Sequence, residues 1–369
     1  MKILQIIYSL ASGGAERFVV DLSNALTEMG HEVCLCSLRD DRIHNNGFYK
    51  TEINDRVNYV NLKLPIGFHL SNITAIYQVI RQMKSEVVHC HQNLVNYIFP
   101  LAIVFPKVKF FYTIHTDAPK EVGSRLEYWL RRIYFTSQKV NAITISNETS
   151  KSFSKYYKTR NYTEIYNGRK KPTASDEFEK VKEYIQQIRN GNIIVFLHIG
   201  RCMPPKNQKM LINVFNRLIR EGQPIALIII GNGFDSKLGE ELKSSASDNI
   251  FFIGQKQNIS DYFFNVDAFC LSSIHEGMPI TLIESLACGC IPICTPVGGI
   301  SDTIKERING FLSKSTSEDD YYQAIISFIN HGDGIIKNDL IDYYNTHFSI
   351  EKCAHKHLNT YLHECPLKK

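Results

Sequence analysis

The sequence predicts an α/β protein made of two doubly wound domains, each built on a parallel sheet. Its 369 residues are too many for one ordinary domain and suit two domains of about 150–200 residues. Near-continuous apolar runs, typical of strands buried on both faces, alternate with amphipathic or buried helical segments. This alternation is interrupted at residues 167–172, where a turn, a basic stretch and a proline follow one another.

The predicted strands are short apolar runs rich in β-branched or aromatic residues. They are residues 3–8, 33–38, 87–89, 110–114, 142–145, 193–199, 226–230, 250–253, 268–271 and 291–294. The predicted helices include residues 16–29, 73–83, 176–189, 208–220, 280–288 and 350–363. We place the domain boundary near residue 170, which gives an N-terminal domain of 1–170 and a C-terminal domain of 171–349.

Composition and charge exclude several classes of protein. Hydrophobic residues make up 44% and charged residues 21% of the chain, which excludes a disordered or fibrous protein. The net charge of +5 is too small to predict binding to nucleic acid. The ten cysteines lack the spacing of a zinc site, and we interpret them as reduced thiols. No apolar run reaches the ~20 residues needed to cross a bilayer, so we predict a cytoplasmic protein.

Two cations follow the predicted strand at residues 193–199. Arg201 and Lys206 lie in one loop between this strand and the next predicted helix. Ligands of α/β proteins bind at this carboxyl edge of the sheet. Arginine offers a rigid fork of donors and lysine a mobile charge, a pair that suits two linked phosphates. Spacing alone also allows two solvated loop cations, and the absence of a Walker sequence argues against a P-loop NTPase.

Two carboxylates, Glu276 and Glu284, flank the start of a predicted helix. Between them, Gly277 allows the backbone to approach a ligand, and Pro279 suits the first turn of a helix. Eight residues advance a helix by about two turns and a fifth, so both carboxylates can reach the same cleft. Glu284 lies among apolar residues, where a carboxylate is costly without a partner such as a sugar or ribose diol. The alternative is a structural cap and a salt-bridged helix residue.

The first half of the chain also has candidate site residues, glycines and histidines, at the ends of predicted strands. Gly13 and Gly14 join the first strand to a helix, where glycine allows close approach and a helix N-terminus attracts anions. A simple tight turn explains them equally well. They lack the third glycine of the dinucleotide fingerprint, so an NAD-dependent dehydrogenase is not predicted. His115, His89 and His91 end two strands and are expected to point into a cleft, as a catalyst or as structural hydrogen-bonding residues.

Together these motifs resemble the retaining glycosyltransferases of family 4, and the resemblance covers nearly the whole chain. The matching segments are Gly13-Gly14-Ala15-Glu16, Val88-His89-Cys90-His91, Ile114-His115, Asn167-Gly168, Gly200-Arg201 with Lys206, Gly231-Asn232-Gly233, Phe252-Ile253-Gly254, Glu276-Gly277-Met278-Pro279 with Glu284, and Pro296-Val297-Gly298-Gly299. The two glutamates with seven residues between them, downstream of Arg201 and Lys206, are the most specific part. One departure is Asn207, where a glycine often follows the lysine.

The resemblance implies the GT-B fold, in which the parallel sheets of two Rossmann-like domains face a central cleft. The N-terminal domain would bind the acceptor, and the C-terminal domain would bind a nucleotide-sugar donor. The final helix, about 350–369, would pack back on the N-terminal domain. The implied reaction is retaining transfer of a sugar from a nucleotide-diphosphate sugar to a glycan or lipid-linked acceptor.

The resemblance also implies roles for individual residues. Arg201 and Lys206 would hold the diphosphate and stabilise the leaving group in place of a metal ion, with no cofactor. Glu276 would contact the donor sugar, Glu284 the ribose hydroxyls, and His115 would lie over the reacting sugar from the opposite domain. The donor site would be completed by the backbone of five further residues, Gly13, Gly14, Gly277, Met278 and Pro279.

The acceptor is expected to belong to surface polysaccharide synthesis, of capsule, exopolysaccharide or lipopolysaccharide. Residues 101–171 hold 14 Lys or Arg against 5 Asp or Glu, and residues 127–135 mix aromatic and basic side chains. This composition suits an anionic membrane surface on the inner face of the cell membrane, with Arg131 and Arg132 facing the lipid. An ordinary helix that buries its aromatic residues and solvates its charges is the alternative.

Two other functions stay open at this point. One is a GT-B-fold epimerase that acts on the nucleotide sugar itself, and the other is a nucleotide-sugar-binding protein without catalytic activity. The simultaneous presence of all the candidate catalytic residues argues against the binding protein. These residues are His115, Arg201, Lys206, Glu276 and Glu284.

Overall fold

The structure is a computed structural model that describes residues 1–43, 45–67 and 69–363. The chain divides into two compact units. The first unit contains Met1–Lys170 and the described residues 348–363, and the second unit is Lys171–His347. The final helix thus belongs to the first unit. Residues 364–369, which the sequence prediction included in this helix, lie outside the described residues.

The first unit contains a seven-stranded parallel sheet. Its strands are β1 (Lys2–Ile7), β2 (Glu32–Ser37), β3 (Asn58–Asn61), β4 (Val87–His91), β5 (Lys109–Ile114), β6 (Asn141–Thr144) and β7 (Tyr162–Glu164). They lie in the order β3-β2-β1-β4-β5-β6-β7, and every neighbouring pair is parallel. The order reverses between β1 and β4, which makes that boundary the switch point of a doubly wound sheet.

Helices cover the sheet of the first unit. They are α1 (Gly14–Glu28), α2 (Leu70–Met83), α3 (Val95–Val104), α4 (Arg125–Thr136), α5 (Asn147–Tyr157) and, from the end of the chain, α14 (Ile350–Leu362). Helix α14 packs against α1 and against the sheet, where the rings of Tyr361 and Phe111 lie 4.9 Å apart. The isolated bridge between Arg169 and Ser349 brings the returning chain to this unit.

The second unit contains a six-stranded parallel sheet. Its strands are β8 (Ile194–Ile199), β9 (Ile225–Ile230), β10 (Ile250–Phe252), β11 (Ala268–Leu271), β12 (Ile291–Cys294) and β13 (Phe311–Leu312), in the order β10-β9-β8-β11-β12-β13. Its helices are α6 (Phe178–Arg189), α7 (Gln208–Arg220), α8 (Lys237–Ser244), α9 (Ile259–Asn265), α10 (Ile280–Ala287), α11 (Ile300–Thr303), α12 (Glu318–His331) and α13 (Lys337–His347). The switch point of this sheet lies between β8 and β11.

The predicted α/β class and the two doubly wound parallel sheets are confirmed. The sequence prediction missed the strands β3, β7 and β13, all of which lie at sheet edges. The residues of β3 and β7 are half-buried or exposed, and β13 has only two residues. These three strands are therefore too exposed or too short to show the continuous apolar run that marks a central strand buried on both faces.

Two expectations from composition concern cysteines and membrane spans. The nine cysteines among the described residues are all unpaired thiols, and most of them are buried. Burial raises the pKa of the Cys34 and Cys270 thiols to about 12, so they stay protonated at neutral pH. Within the described part of the chain, no helix is long and apolar enough to cross a membrane.

Helix α4 departs from the sequence expectation. Arg131, which was expected to face a membrane, is only 1% exposed and pairs with Glu127 at 2.5 Å and Glu121 at 3.7 Å. A buried guanidinium needs such partners because its desolvation is costly. The large apolar side chains exposed on this helix are instead Leu126, Trp129, Leu130 and Ile133.

Candidate active site

Two loops meet at the switch point of the second sheet. The loop after β8 carries Arg201 and Lys206, and the loop after the neighbouring strand β11 carries Glu276. Both loops follow the carboxyl ends of parallel strands, so they lie at the same edge of the sheet. This edge, at the point where the strand order reverses, is where doubly wound sheets bind ligands.

An ion pair joins the two loops. The Lys206 ammonium lies 2.7 Å from Oε1 of Glu276, and the Ser273 hydroxyl donates to the same oxygen at 2.6 Å. The side chains of the pair are 22% and 10% exposed. Two further hydrogen bonds join the loops. The Ser272 hydroxyl donates to the Lys206 carbonyl at 3.0 Å, and the Ile274 amide donates to the Pro205 carbonyl at 2.9 Å. The Glu276 carboxylate is therefore held in one orientation by a partly desolvated cation.

Arg201 is the second cation of the site. Its side chain is exposed, and it forms no ion pair with any described carboxylate. Its carbonyl accepts a hydrogen bond of 2.8 Å from the side-chain amide of Gln208, the first residue of α7. Two cations and the carboxylate of Glu276 leave the two loops with a net charge of +1. Such a site attracts an anion at neutral pH.

His198 fixes the base of the first loop. Its imidazole is fully buried, and Nδ1 donates to the Cys270 carbonyl of the adjacent strand at 2.9 Å. Its other nitrogen, Nε2, accepts from the Gln208 amide at 3.4 Å. Burial, helped by the nearby Lys206 charge, lowers the pKa of His198 to about 4. The neutral ring thus joins β8 to β11 without adding charge to the site.

Glycine is required at two positions beneath these loops. Gly298 has φ of +57°, and a Cβ there would lie 2.1 Å from the Glu276 carbonyl oxygen. The next amide, that of Gly299, donates to the Gly277 carbonyl at 2.6 Å. A Cβ at Gly231 would lie 2.0 Å from the Gly200 carbonyl oxygen. Backbone approaches this close exclude any larger residue, so both glycines set the course of the site loops.

The segment after Glu276 leads into α10. Met278 is buried, and the Thr303 hydroxyl approaches its sulfur at 3.7 Å. Pro279 is the N-cap residue of α10, so it lies just before the first turn, in which the sequence analysis had expected it. Glu284 lies in the middle of α10 and is only 3% exposed. The carboxylate is therefore buried, as are its helix neighbours Leu282, Ile283 and Leu286.

The switch point of the first sheet holds Gly13 and Gly14. Gly13 is the N-cap residue of α1, and Gly14 is its first residue. Gln92, which follows β4, accepts from the Tyr8 amide at 3.3 Å and donates to Glu16 at 2.8 Å. Gln92 has φ of +57°, a left-handed conformation that is uncommon outside glycine and often occurs at functional sites. It therefore joins the loops on either side of the switch point.

His89 and His91 do not point into a cleft, contrary to expectation. Both rings are fully buried in the first unit. The two ring nitrogens of His89 each lie 2.7 Å from a hydroxyl, one from Tyr361 of α14 and the other from Thr113 of β5. Tyr361 also accepts from the side-chain amide of Gln5 at 3.4 Å. His89 is thus part of a satisfied polar network that ties the final helix to the sheet.

Hydrogen bonds determine the protonation of His115. His91 Nε2 donates to the Gln5 side-chain oxygen at 2.9 Å, so its Nδ1 must accept when the ring is neutral. His115 Nε2 lies 3.2 Å from this Nδ1 and therefore carries the proton that is donated. Burial lowers the pKa of His115 to about 4. His115 is consequently neutral at pH 7, and its Nδ1 bears a free lone pair.

The sequence analysis missed several polar residues that hold this arrangement, and they are Gln5, Gln92, His198, Gln208 and Ser273. A signal for some of them was available in the sequence. Gln5 and His198 interrupt apolar strands that are buried on both faces, and a polar side chain there requires a partner. The candidate residues divide between the units, with Gly13, Gly14 and His115 in the first and the others in the second.

Comparisons with known proteins agree with this architecture. The family model described as "Glycosyltransferase Family 4" matches residues 12–169, and the model "Glycosyl transferases group 1" matches residues 180–345. The crystal structure of Anabaena HepE in complex with UDP and glucose superposes with a TM-score of 0.79. The superposition covers 98% of this chain and 99% of that one at 16% sequence identity, which establishes similarity of fold.

Two curated relatives are similar along most of their length. One is the Campylobacter jejuni enzyme GalNAc-alpha-(1->4)-GalNAc-alpha-(1->3)-diNAcBac-PP-undecaprenol alpha-1,4-N-acetyl-D-galactosaminyltransferase, 25% identical over 85% of this chain and 84% of its own. The other is the capsular polysaccharide biosynthesis glycosyltransferase CapH of Staphylococcus aureus, 26% identical over 86% of each chain.

The two doubly wound units and the family matches define a glycosyltransferase of the GT-B fold. Within that class, the chain belongs to glycosyltransferase family 4, with a C-terminal unit of the group 1 type. The sequence-based assignment of fold and family is therefore confirmed.

The buried histidines make the first unit sensitive to acid. Burial lowers the pKa of His115 and His357 to about 4, and those of His89 and His91 also lie well below 6.5. In the unfolded chain, histidines titrate near 6.5, so between pH 6.5 and 4 the unfolded state binds more protons. The stability that these neutral rings allow is complete above pH 6.5 and is lost as the pH falls towards 4.

We expect His357→Gln to reduce the loss of unfolding free energy between pH 7 and pH 5, by about 1.4 kcal/mol per pH unit at most. Urea unfolding, followed by circular dichroism and the fluorescence of Trp129, measures this slope. His331→Gln, an exposed histidine, serves as the control. Burial raises the pKa of Glu121 to about 7, which makes the unfolding free energy change with pH in the opposite direction. Every variant retains Glu121, so this contribution is the same in all of them. Equal slopes for His357→Gln and the wild type would contradict the prediction.

Proposed function

We propose that the chain transfers a sugar from a nucleotide-diphosphate sugar to a glycan or lipid-linked acceptor, with retention of configuration and without a metal ion or other cofactor. The observation that carries this proposal is the Lys206–Glu276 ion pair beside the unpaired Arg201 at the switch point of the second sheet. This edge offers a net positive charge for a diphosphate and a positioned carboxylate for a sugar.

Arg201 and Lys206 are assigned to the diphosphate. In the proposed reaction, the bond from the anomeric carbon to the phosphate oxygen breaks, and negative charge grows on the leaving diphosphate. Lys206, which Glu276 holds in a partly desolvated position, and Arg201 at the exposed side of the site stabilise that charge. The backbone at Gly277 and the N-terminus of α10 add partial positive charge on the same side. The leaving phosphate then takes the proton of the acceptor hydroxyl as the new glycosidic bond forms.

Glu276 is assigned to the donor sugar. Lys206 and Ser273 both bind its Oε1, and no described residue donates a hydrogen bond to Oε2. The second oxygen can therefore accept a sugar hydroxyl while the first keeps the side chain in place. Glu284 is assigned to the ribose diol, because a carboxylate buried in α10 forms charge-assisted hydrogen bonds of high strength.

His115 is assigned to the reacting sugar. Its Nε2 donates to His91, which leaves the neutral Nδ1 as an acceptor for a sugar hydroxyl. Gln5 maintains this tautomer because it accepts the proton of His91 Nε2. In this role Gln5 is a positioning residue, since it acts on the sugar only through the two histidines.

The acceptor is proposed to belong to surface polysaccharide synthesis at the inner face of the cell membrane. The name of the Campylobacter jejuni relative describes an undecaprenol-diphosphate-linked acceptor, and that of CapH describes capsular polysaccharide synthesis. The basic segment 101–171 supports attraction to an anionic membrane surface.

The first test of this function concerns the two cations. Arg201→Ala and Lys206→Ala are each expected to slow release of nucleoside diphosphate from the nucleotide sugar by about ten- to a thousandfold, because each stabilises the leaving group. Exposed cations of the same unit provide matched controls, Arg220→Ala and Lys180→Ala. The donor is first identified by a thermal-shift screen of nucleoside diphosphates and nucleotide sugars. Rates within twofold of wild type for both variants would refute the diphosphate assignment.

The second test separates the two glutamates. Glu284→Gln should weaken the nucleoside diphosphate and the nucleotide sugar equally, by about ten- to a hundredfold, because both ligands carry the ribose. Glu276→Gln should leave the bare nucleotide nearly unaffected and weaken the binding or turnover of the nucleotide sugar. Calorimetric titration of both ligands measures this, with the exposed Glu183→Gln as control. A similar loss of nucleotide affinity in both variants would contradict the division of roles.

The third test concerns His115 and Gln5. His115→Ala should lower the turnover number far more than the nucleotide affinity, since its proposed contact is with the sugar. Gln5→Met, which removes the acceptor of the His91 proton, should lower turnover in the same way but less strongly. His331→Ala controls for loss of an exposed histidine. Equal losses of turnover and nucleotide affinity in His115→Ala would indicate a structural role for this residue.

A further inference from the structure

The first unit has a pocket of about 550 Å³. The first of its lining residues, Asp117, follows His115 by two positions in the sequence. Its lining includes Asp117, Lys120 and Lys155, together with the rings of Tyr128 and Tyr156. A volume of this size suits a small ligand or the headgroup of a larger one. Of the roles proposed above, only the general attraction of the basic segment 101–171 to an anionic membrane involves these residues.

The polar lining of the pocket favours an anion. Lys120 pairs with Asp117 at 2.9 Å and stays half exposed, and Lys155 is exposed. Two ammonium groups against one carboxylate leave a net charge of +1. The rings of Tyr128 and Tyr156 meet edge to face with centroids 5.0 Å apart and form a rigid wall. A phosphate group matches this combination, because lysine binds phosphate as a mobile point charge.

Tyr128 also connects the pocket to the exposed face of α4. On this helix Leu126 is 71% exposed, Trp129 53%, Leu130 42% and Ile133 57%. Positions 126, 129, 130 and 133 follow the i, i+3, i+4, i+7 spacing, so the four side chains form one stripe along the helix. Surface helices normally turn such a stripe towards the core. A stripe that faces solvent instead marks an interaction surface.

Basic and aromatic groups border this stripe. The Arg132 guanidinium lies 5.2 Å from the ring of Trp129, a cation–π contact. At the end of α3, Ile103 and Val104 are also exposed. Helix α3 lies beside α4, where the rings of Phe99 and Tyr134 stack at 4.2 Å. A helix with an apolar stripe, an exposed tryptophan and flanking cations has the composition of helices that lie in the membrane interface.

We propose that the pocket and the α4 stripe form a single docking site for a phosphate-bearing lipid in an anionic bilayer. The lipid phosphate binds Lys120 and Lys155, and the side chains of the stripe enter the boundary between headgroups and acyl chains. This inference rests on the proposed function and specifies its membrane partner. It replaces the predicted contact through Arg131, whose side chain is buried.

Charge distinguishes a bilayer from a second copy of the chain as the occupant. Residues 101–171 hold 14 Lys or Arg against 5 Asp or Glu. A dimer formed through the stripe would bring the two basic segments together and oppose like charges. An anionic bilayer presents the opposite charge beside an apolar layer, and it matches both properties of the surface at once.

The test is sedimentation of the full chain with phosphatidylcholine vesicles, with and without phosphatidylglycerol. We expect binding that requires the anionic lipid and weakens with salt. Leu126→Gln/Ile133→Gln and Lys120→Gln/Lys155→Gln should each weaken it about tenfold or more, and the lysine variant should also show less salt dependence. Matched controls in the second unit are Ile308→Gln and Lys180→Gln/Lys314→Gln.

Several outcomes would overturn the docking site. We call Leu126→Gln/Ile133→Gln and Lys120→Gln/Lys155→Gln the docking variants. One such outcome is that both docking variants bind vesicles as well as the wild type does. Another is vesicle binding that Lys120→Gln/Lys155→Gln leaves unchanged while the wild type binds inorganic pyrophosphate through these two lysines, which would indicate a soluble phosphate ligand. A third is a wild-type dimer in sedimentation velocity that Leu126→Gln/Ile133→Gln dissociates.

Failure of the docking site is distinguishable from failure of the proposed function. Release of nucleoside diphosphate without vesicles should be the same in the docking variants and the wild type. A wild type that releases nucleoside diphosphate, with docking variants that bind vesicles normally, refutes only the docking site. Vesicle binding that depends on these residues, in a protein that binds no nucleotide sugar, supports the docking site and refutes the transfer reaction.

Discussion

The contact between Lys206 and Glu276 is the constraint on which the second unit's site depends. The two residues are 70 positions apart in the chain, and the adjacency of β8 and β11 brings them together. The surrounding structure preserves this contact. His198 joins the two strands, and the missing side chain of Gly298 allows a third loop to pass under the Glu276 carbonyl. These supporting groups are neutral, so the charge at the candidate site comes from Arg201, Lys206 and Glu276.

The same ion pair has a consequence for the proposed reaction. In the absence of ligand, Lys206 and Glu276 neutralise each other, which lowers the cost of holding two charges in a half-buried site. A bound diphosphate would draw Lys206 towards its own negative charge and leave more of the Glu276 carboxylate for the sugar. Donor binding and orientation of the carboxylate would then be coupled through one ammonium group, with Arg201 supplying the remaining positive charge.

The sequence predicted what depends on local pattern and missed what depends on pairing between distant segments. Buried parallel strands carry a continuous apolar signal, whereas the half-exposed edges β3 and β7 do not. The position of Arg201 and Glu276 at the carboxyl edge of the sheet was predictable, because each residue follows a strand. The role of Ser273 depends on a neighbouring loop. The burial of Arg131 was not predictable, because the composition of α4 does not show which of its faces meets the sheet.

In the first unit, a network of hydrogen bonds holds the neutral His115 at the carboxyl edge of the sheet. Gln5 determines the tautomer of His91, and His91 in turn determines that of His115. Tyr361 binds Gln5 and His89, so the helix at the end of the chain completes a network that begins in the first strand. Every nitrogen of His89 and His91 has a partner, which offsets the cost of burying them. The return of the chain to the first unit thus contributes the last hydrogen-bonding group that keeps the proposed catalytic histidine in one protonation state.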